Sequence, residues 1–323
     1  MVFIKERKIK GKIYIYLEKS VRINKKVLKI SKYLGRKEDL SIKKIKTKIK
    51  DFRLEIDKRL LNLILKEAKK KYLKLEYPLD IDALKEIEEM NLKYYEIKKT
   101  LNRNDWFDLK RRFIANFVFE SNALEGNSLT LKNFSEIVFE NRIDSSADLR
   151  DVYDAQNSYK VFSSLLTMKK DITEEFIINI HRRIIKNIDD RLGYKKTPNI
   201  LLGRNIKLAQ PQDVKKEMEK LINWYEKNKE AMYPLELASK FHHKFEKIHP
   251  FSDGNGRVGR LLLNYILILN NHYPIIIRKT NRSSYLKSLE AADNGKYILL
   301  IRFVLEKTKD TYRKFFETYY KYI

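Results

Sequence analysis

Residues 10–35 alternate apolar and polar positions with the period of two that sends successive side chains to opposite faces of a strand. The runs are Lys12-Ile13-Tyr14-Ile15-Tyr16-Leu17, Ser20-Val21-Arg22-Ile23 and Val27-Leu28-Lys29-Ile30, with Asn24-Lys25-Lys26 as a turn and Gly35 closing the unit. The spacing predicts a small antiparallel meander of two or three strands, which must pack on a neighbour to be stable. From Leu40 to Lys74 the period lengthens to that of a helix. Ile42, Ile45, Ile49, Phe52 and Ile56 form one stripe among lysines until Tyr77-Pro78 breaks it.

Beyond the break the chain carries helical spacing almost throughout. Helices are predicted over 80–99, 105–124, 130–139, 149–168, 173–188, 213–229, 234–247, 257–270, 282–305 and 307–322. Gly126 stands where the second of these should stop. The exception is 194–208, which alternates around Pro198 and Gly203 and reads as a hairpin between two helices. The fold class that follows is mainly α, with an inserted β-hairpin and a small N-terminal antiparallel β element. The expected division is an accessory region over 1–75 and a helical region over 76–323.

Composition narrows the function. The 323 residues include no Cys, which removes disulfide scaffolds, cysteine-ligated metals and a cysteine nucleophile. No apolar stretch approaches the roughly 20 residues that span a bilayer. The start, MVFIKERKIKGK, lacks the apolar segment of a secretory signal, so a cytoplasmic protein without a membrane partner is expected. The net charge of +26 is unevenly spread: residues 1–75 carry 26 Lys and Arg against 8 Asp and Glu. There the basic residues are interleaved with Tyr14, Tyr16, Tyr33, Phe52 and Tyr72, a mixture suited to phosphate contacts and base stacking. Nucleic-acid binding through residues 1–75 is therefore an alternative reading, although a solvated lysine-rich face is the commoner outcome.

The chemistry is concentrated in His249-Pro250-Phe251-Ser252-Asp253-Gly254-Asn255-Gly256-Arg257-Val258-Gly259-Arg260. Proline and glycines make the first half a loop, and an apolar helix starts directly behind it. Backbone N–H groups and the positive end of the helix dipole then converge on one anion. Asn255 can add an amide donor, and Arg257 and Arg260 lie three apart on the first turn. Two arginines at a helix start are unfavourable unless an anion answers them. Asp253 is a hard oxygen ligand suited to Mg²⁺ shared with phosphates. His249 titrates near neutral pH and can take a proton from a hydroxyl.

This stretch resembles the signature of the Fic family, His-x-Phe-x-Asp/Glu-Gly-Asn-Gly-Arg-x-x-Arg, at every fixed position. The likeness extends to Asn116–Thr130, Tyr194–Val214 and Asn281–Tyr297, and covers roughly 100–305. It implies a Fic-type helical bundle that transfers AMP from Mg²⁺–ATP to a Ser, Thr or Tyr hydroxyl of a target protein, itself included. It also implies His249 as general base and Asp253 as the Mg²⁺ ligand. Gly254, Asn255, Gly256 and Arg257 correspond to the cradle of the α- and β-phosphates, with Val258 and Gly259 inside the signature and Arg260 on the γ-phosphate. Ile200-Leu201-Leu202-Gly203 is similar to the flap that holds the target over the nucleotide. Tyr285 matches a nucleotide contact, and Asp293 stands where relatives often carry Asn.

Ser121-Asn122-Ala123-Leu124-Glu125-Gly126 resembles the family's inhibitory motif, Ser/Thr-x-x-x-Glu-Gly/Asn. Ser121, Glu125 and Gly126 would then form a brake in which Glu125 occupies Arg260 in place of the γ-phosphate. Relatives with this glutamate can also remove AMP from a modified target, which is the alternative direction of the same site. A homodimer is a further arrangement the resemblance implies, and the target protein is not identified.

Overall fold

The computed structural model describes residues 3–23, 26–72, 78–199 and 206–323. The chain divides into two compact units, one of residues 1–75, 80–102 and 320–323, the other of 76–79 and 103–319.

In the first unit β1 (Phe3–Ile9), β2 (Lys12–Ile23) and β3 (Lys26–Arg36) form an antiparallel sheet in sequence order. Lys10 and Gly11, both at positive φ (47° and 79°), turn β1 into β2. The sheet starts earlier than the alternation suggests, since β1 pairs with β2 from Phe3↔Glu18 to Ile9↔Lys12. The runs 12–17 and 20–23 are one strand. The polar pair between them, Glu18 and Lys19, interrupts the pattern but not the chain, because both side chains are buried in ion pairs. Glu18 meets Arg7 at 2.6 Å and Lys29 at 3.0 Å, and Lys19 meets Asp57 at 3.3 Å and Glu96 at 3.5 Å.

Ile15, Leu17, Ile30 and Leu34 on one sheet face bury against Phe52 and Ile56 of α1 (Ile42–Lys71). Ser41 caps that helix, its Oγ accepting from the Lys44 N–H at 3.3 Å. Ile42 heads the expected apolar stripe yet is 76% exposed, so the stripe is used only from its middle onward. Helix α2 (Ile81–Thr100), capped by Asp80, belongs to the same unit.

The second unit contains α3 (Arg103–Leu124), α4 (Leu131–Ser135), α5 (Leu149–Leu165), α6 (Glu174–Ile184), α7 (Val214–Asn228) and α8 (Pro234–Ile248). Helices α9 (Asn255–Leu269), α10 (Arg282–Asp293) and α11 (Tyr297–Thr311) follow, and a π-helical turn at 312–316 leads into α12 (Glu317–Tyr322). Helix α9 is buried on every side, from Val258 through Leu261, Leu262 and Tyr265 to Leu267. It is the core helix around which α3, α5, α6 and α8 pack. The segment 282–305, expected as one helix, is two. Gly295 at φ 79° ends α10, and Lys296 N–H closes the turn on Ala291 O at 2.9 Å. The joint expected at 305–307 is absent because no breaker residue stands there, and α11 runs straight through it.

The expected flap residues Ile200, Leu201, Leu202 and Gly203 lie outside the described residues. Their described flanks, 194–199 and 206–210, carry no strand. Among the described residues no helix is long and apolar enough to cross a membrane.

Phe52 is 1% exposed at the centre of the sheet–helix cluster. Phe52→Ala should cost about 3–5 kcal/mol of stability in the first unit, read as a lower urea midpoint for its unfolding.

Candidate active site

The turn from α8 to α9 is built from two left-handed residues. His249 caps α8 at φ 50°, ψ 61°, and Gly254 enters α9 at φ 82°. A Cβ on Gly254 would sit 3.1 Å from Ile185 Cγ2, so both space and conformation call for glycine. Between them Asn255 pins the loop: its Oδ1 accepts from Phe251 N–H at 2.9 Å and its Nδ2 donates to Phe251 O at 2.7 Å. The amide expected to face an anion is thus engaged inside the loop, and what α9 presents outward is the start of its backbone.

Neighbouring elements hold this loop from two sides. His181 on α6 stacks on Phe251 with ring centroids 3.7 Å apart and 7° between planes, and its Nε2–H donates to Asp253 O at 3.1 Å. Its Nδ1 is buried without a hydrogen-bond partner, and burial pushes the imidazole down to about 4. Lys195 N–H donates to Pro250 O at 2.9 Å and Asn199 Nδ2 to Phe251 O at 3.0 Å.

The charges sit on the first two turns of α9. Arg257 and Arg260 are 2% and 3% exposed, and buried charges demand partners. Arg260 is fully engaged by the segment that ends α3. Its Nε donates to Ser121 Oγ at 2.9 Å, its Nη2 to Ser121 O at 2.8 Å, and its Nη1 meets Glu125 Oε1 at 2.8 Å. Burial opposes the charge on Arg260, and Glu125 together with Tyr285 and Glu246 more than offsets this, so its pKa is raised. Loss of water around its carboxyl would raise Glu125, whose side chain is still partly exposed, but Arg260, with Arg257 and His249 behind it, holds it below the usual carboxylate range. Gly126 at φ 101° ends the helix beneath this carboxylate.

Arg257 pairs with Asp154 of α5 and, at 3.1 Å, with Asp253. Burial brings its pKa down to about 10. Asp253 also receives Arg150 of α5 and the Gly254 N–H. Two glycines make these approaches sterically feasible. A Cβ on Gly256 would overlap Glu125 Oε1, and one on Gly259 would overlap Glu246 Oε1. Glu246 Oε2 in turn lies 3.9 Å from His249 Nδ1.

The structure therefore brings together His249, Asp253, Gly254, Asn255, Gly256, Arg257, Arg260, Ser121 and Glu125. Val258 is a core residue with no exposure. Tyr285 is buried and joins the site through α8, its hydroxyl 2.6 Å from His242 Nε2, with burial pushing its pKa up. Asp293 is taken up by His243 Nε2 at 2.7 Å, and His243 Nδ1 lies 3.1 Å from Tyr297 Oη.

Sequence reading missed Arg150, Asp154, His181, His242 and Glu246. Arg150 and Asp154 share a face of α5 by their i, i+4 spacing, but nothing in the chain links that face to residue 257. For His181 no local signal exists.

Among the described residues no group of three or more His, Asp or Glu is gathered to hold a metal ion. Asp253 alone supplies a hard oxygen beside the arginines. That donor set fits an ion that takes its other ligands from phosphates and water, as Mg²⁺ does.

Residues 171–267 match the Fic/DOC family. The chain is 34% identical over 205 residues to a protein adenylyltransferase Fic of Nematostella vectensis, covering 60% of this chain and 48% of that protein. It is 31% identical over 212 residues to the Drosophila melanogaster protein of the same name, covering 63% and 43%. The chain thus spans about half the length of the curated relatives it matches. A Fic domain containing signaling protein from Bacteroides thetaiotaomicron aligns with TM-score 0.65 and 25% identity, over 70% of this chain and 95% of that one. Fic-1 from C. elegans shares the fold with TM-score 0.61 and 22% identity, over 72% and 70%. The matched segment holds α6 to α9 and the loop, while Ser121–Gly126, Tyr285 and Asp293 lie outside it.

His181 gives the site a pH signature. Between about 4, its folded pKa, and 6.5 the unfolded chain binds the extra proton, so stability falls as pH drops through this window. The loss should reach about 3 kcal/mol. Urea unfolding from pH 7 to 4 should show it, and His181→Asn, which keeps a donor but does not titrate, should flatten the decline.

Proposed function

We propose that this chain, which carries a Fic/DOC-family domain over residues 171–267, transfers AMP from Mg²⁺–ATP to a Ser, Thr or Tyr hydroxyl of a protein, itself included. The observation that supports the reading is the paired arginine turn of α9 beside His249: a cluster of buried cations at a helix start next to a titratable base suits a polyphosphate and a hydroxyl together.

In this reading His249 accepts the proton of the target hydroxyl. The target oxygen attacks the α-phosphorus, the bond from that phosphorus to its bridging oxygen breaks, and pyrophosphate leaves. Glu246 lies 3.9 Å from His249 Nδ1, where its carboxylate would stabilise the imidazolium formed when His249 takes the proton. The start of α9 and Arg257 hold the α- and β-phosphates, and Arg260 holds the γ-phosphate. Asp253 would hold Mg²⁺, which when bound neutralises charge on the phosphates.

Glu125 acts as a brake in this scheme. It occupies Arg260 Nη1 at 2.8 Å, the position a γ-phosphate oxygen needs, while Ser121 fixes the other two nitrogens. ATP that cannot reach Arg260 settles with its α-phosphate misaligned.

Two measurements test this. His249→Ala should lower AMP transfer by about 10²–10⁴-fold while leaving ATP binding, followed by calorimetry, in place; transfer at the parent rate would sink the base assignment. Glu125→Gly should raise auto-modification with radiolabelled ATP by about tenfold or more, the size of an ordinary coupling between two ligands. An unchanged or lower signal would overturn the brake.

A further inference from the structure

The N-terminal sheet has one face buried on α1 and one face open, and the open face is chemically unusual. The pairing Lys5↔Tyr16↔Tyr33, Arg7↔Tyr14↔Arg36, Phe3↔Glu18↔Ser31 and Ile9↔Lys12 places all of these residues on that single face. The aromatic side chains are grouped: Tyr33 lies 5.4 Å from Tyr16 and 6.0 Å from Tyr14 between ring centroids. Tyr33 and Phe3 remain 52% and 59% exposed. Lys5, Arg7, Lys12, Lys29 and Arg36 surround them. The one carboxylate on the face, Glu18, is already neutralised by Arg7, Lys29 and Lys5. Those five Lys and Arg against one Glu make the field above the face positive.

We propose that this open face binds single-stranded nucleic acid, with bases stacked on the tyrosine cluster and the phosphate backbone running along the lysines and arginines. The aromatics decide the class of ligand. A duplex hides its base faces inside the stack and offers only phosphates and groove edges, so exposed Tyr33 with half-buried Tyr14 and Tyr16 beside it would gain little from it. Single strands offer a π-face at every nucleotide, and the protein–base stack tolerates any sequence. The ring of Lys5, Lys12 and Lys29 sets the face apart from the centre of a protein interface, which shares its tyrosines and arginines but is depleted in lysine. The sheet spacing of about 4.8 Å between strands puts neighbouring aromatic rings at a separation that successive splayed bases can follow. This site lies in the first unit and uses none of the residues assigned to AMP transfer.

The experiment uses the full chain and a fluorescein-labelled 20-nucleotide oligo(dT), followed by anisotropy across a salt series. Binding should weaken with salt, and Tyr33→Ala should weaken it about 5- to 150-fold, the loss of one stacked base. Tyr33→Phe should hold affinity within about twofold, because the ring face is kept. Arg36→Gln should reduce the slope of log affinity against log salt by about 0.7, one phosphate contact on a single strand. The proposal is overturned by absence of binding, by affinity indifferent to Tyr33→Ala, or by tighter binding to the matching 20-base-pair duplex. None of these readouts involves ATP, so they stand or fall apart from the catalytic reading.

Discussion

Two guanidinium groups sealed at the positive end of a helix set the conditions for everything around them. Neither burial nor the helix dipole favours a cation there, so each arginine has to be answered by negative charge delivered from elsewhere. Three elements deliver it. Helix α3 brings Glu125 to Arg260, α5 brings Asp154 to Arg257, and the loop itself brings Asp253. The positions of α3 and α5 against α9 are therefore fixed by charge as well as by apolar packing. Gly256 and Gly259 complete the condition, because side chains at those points would fill the space that Glu125 and Glu246 occupy. A polyphosphate carries the same charge as these carboxylates and must compete with them for the same nitrogens.

The three carboxylates are not equally replaceable. The Asp154 side chain is 8% exposed and enclosed within the helical packing, whereas that of Glu125 is 41% exposed at a helix end. Displacing Asp154 would strand a buried charge, which costs several kcal/mol. Displacing Glu125 returns a carboxylate to water. The backbone of the loop, by contrast, is fastened by neutral contacts from Asn255, His181, Asn199 and the main chain of Lys195. The geometry thus separates a rigid base from one exchangeable anion, and that anion is the residue at the mouth.

Much of this was legible in the sequence, and what was not has physical causes. Loops punctuated by Pro250 and Gly254 and a helix apolar on every side announce themselves locally, and so does the cost of two arginines at a helix start. Helix α9 and the charged turn were readable for that reason. The break at Gly295 was hidden because the apolar spacing runs on through it on both sides. The single strand β2 looked like two because the pattern registers polarity, whereas Glu18 and Lys19 are neutralised by partners as distant in sequence as Asp57 and Glu96. His181, Asp154 and Glu246 were invisible for the same reason at greater range: their significance lies in contacts made 72, 103 and 13 positions away, at Asp253, Arg257 and Gly259. A one-dimensional pattern reports what a residue is, and long-range pairing reports what it is for.

The same contrast clarifies the charge. Of the net +26, the first 75 residues carry +18, and the start of α9 holds only two arginines. At the start of α9 positive charge is buried and matched by carboxylates from α3, α5 and the loop. In the sheet it is displayed around aromatic rings on a face that the unit's own residues leave open, and only Glu18 is spent inside it. Charge that a fold needs for itself is paired and enclosed, because an unpaired buried ion is intolerable. On the open face Lys5, Arg7 and Lys29 share the single carboxylate Glu18, so positive charge there exceeds what the sheet itself can match. Its physical consequence is a field and a stacking surface directed at something outside the chain.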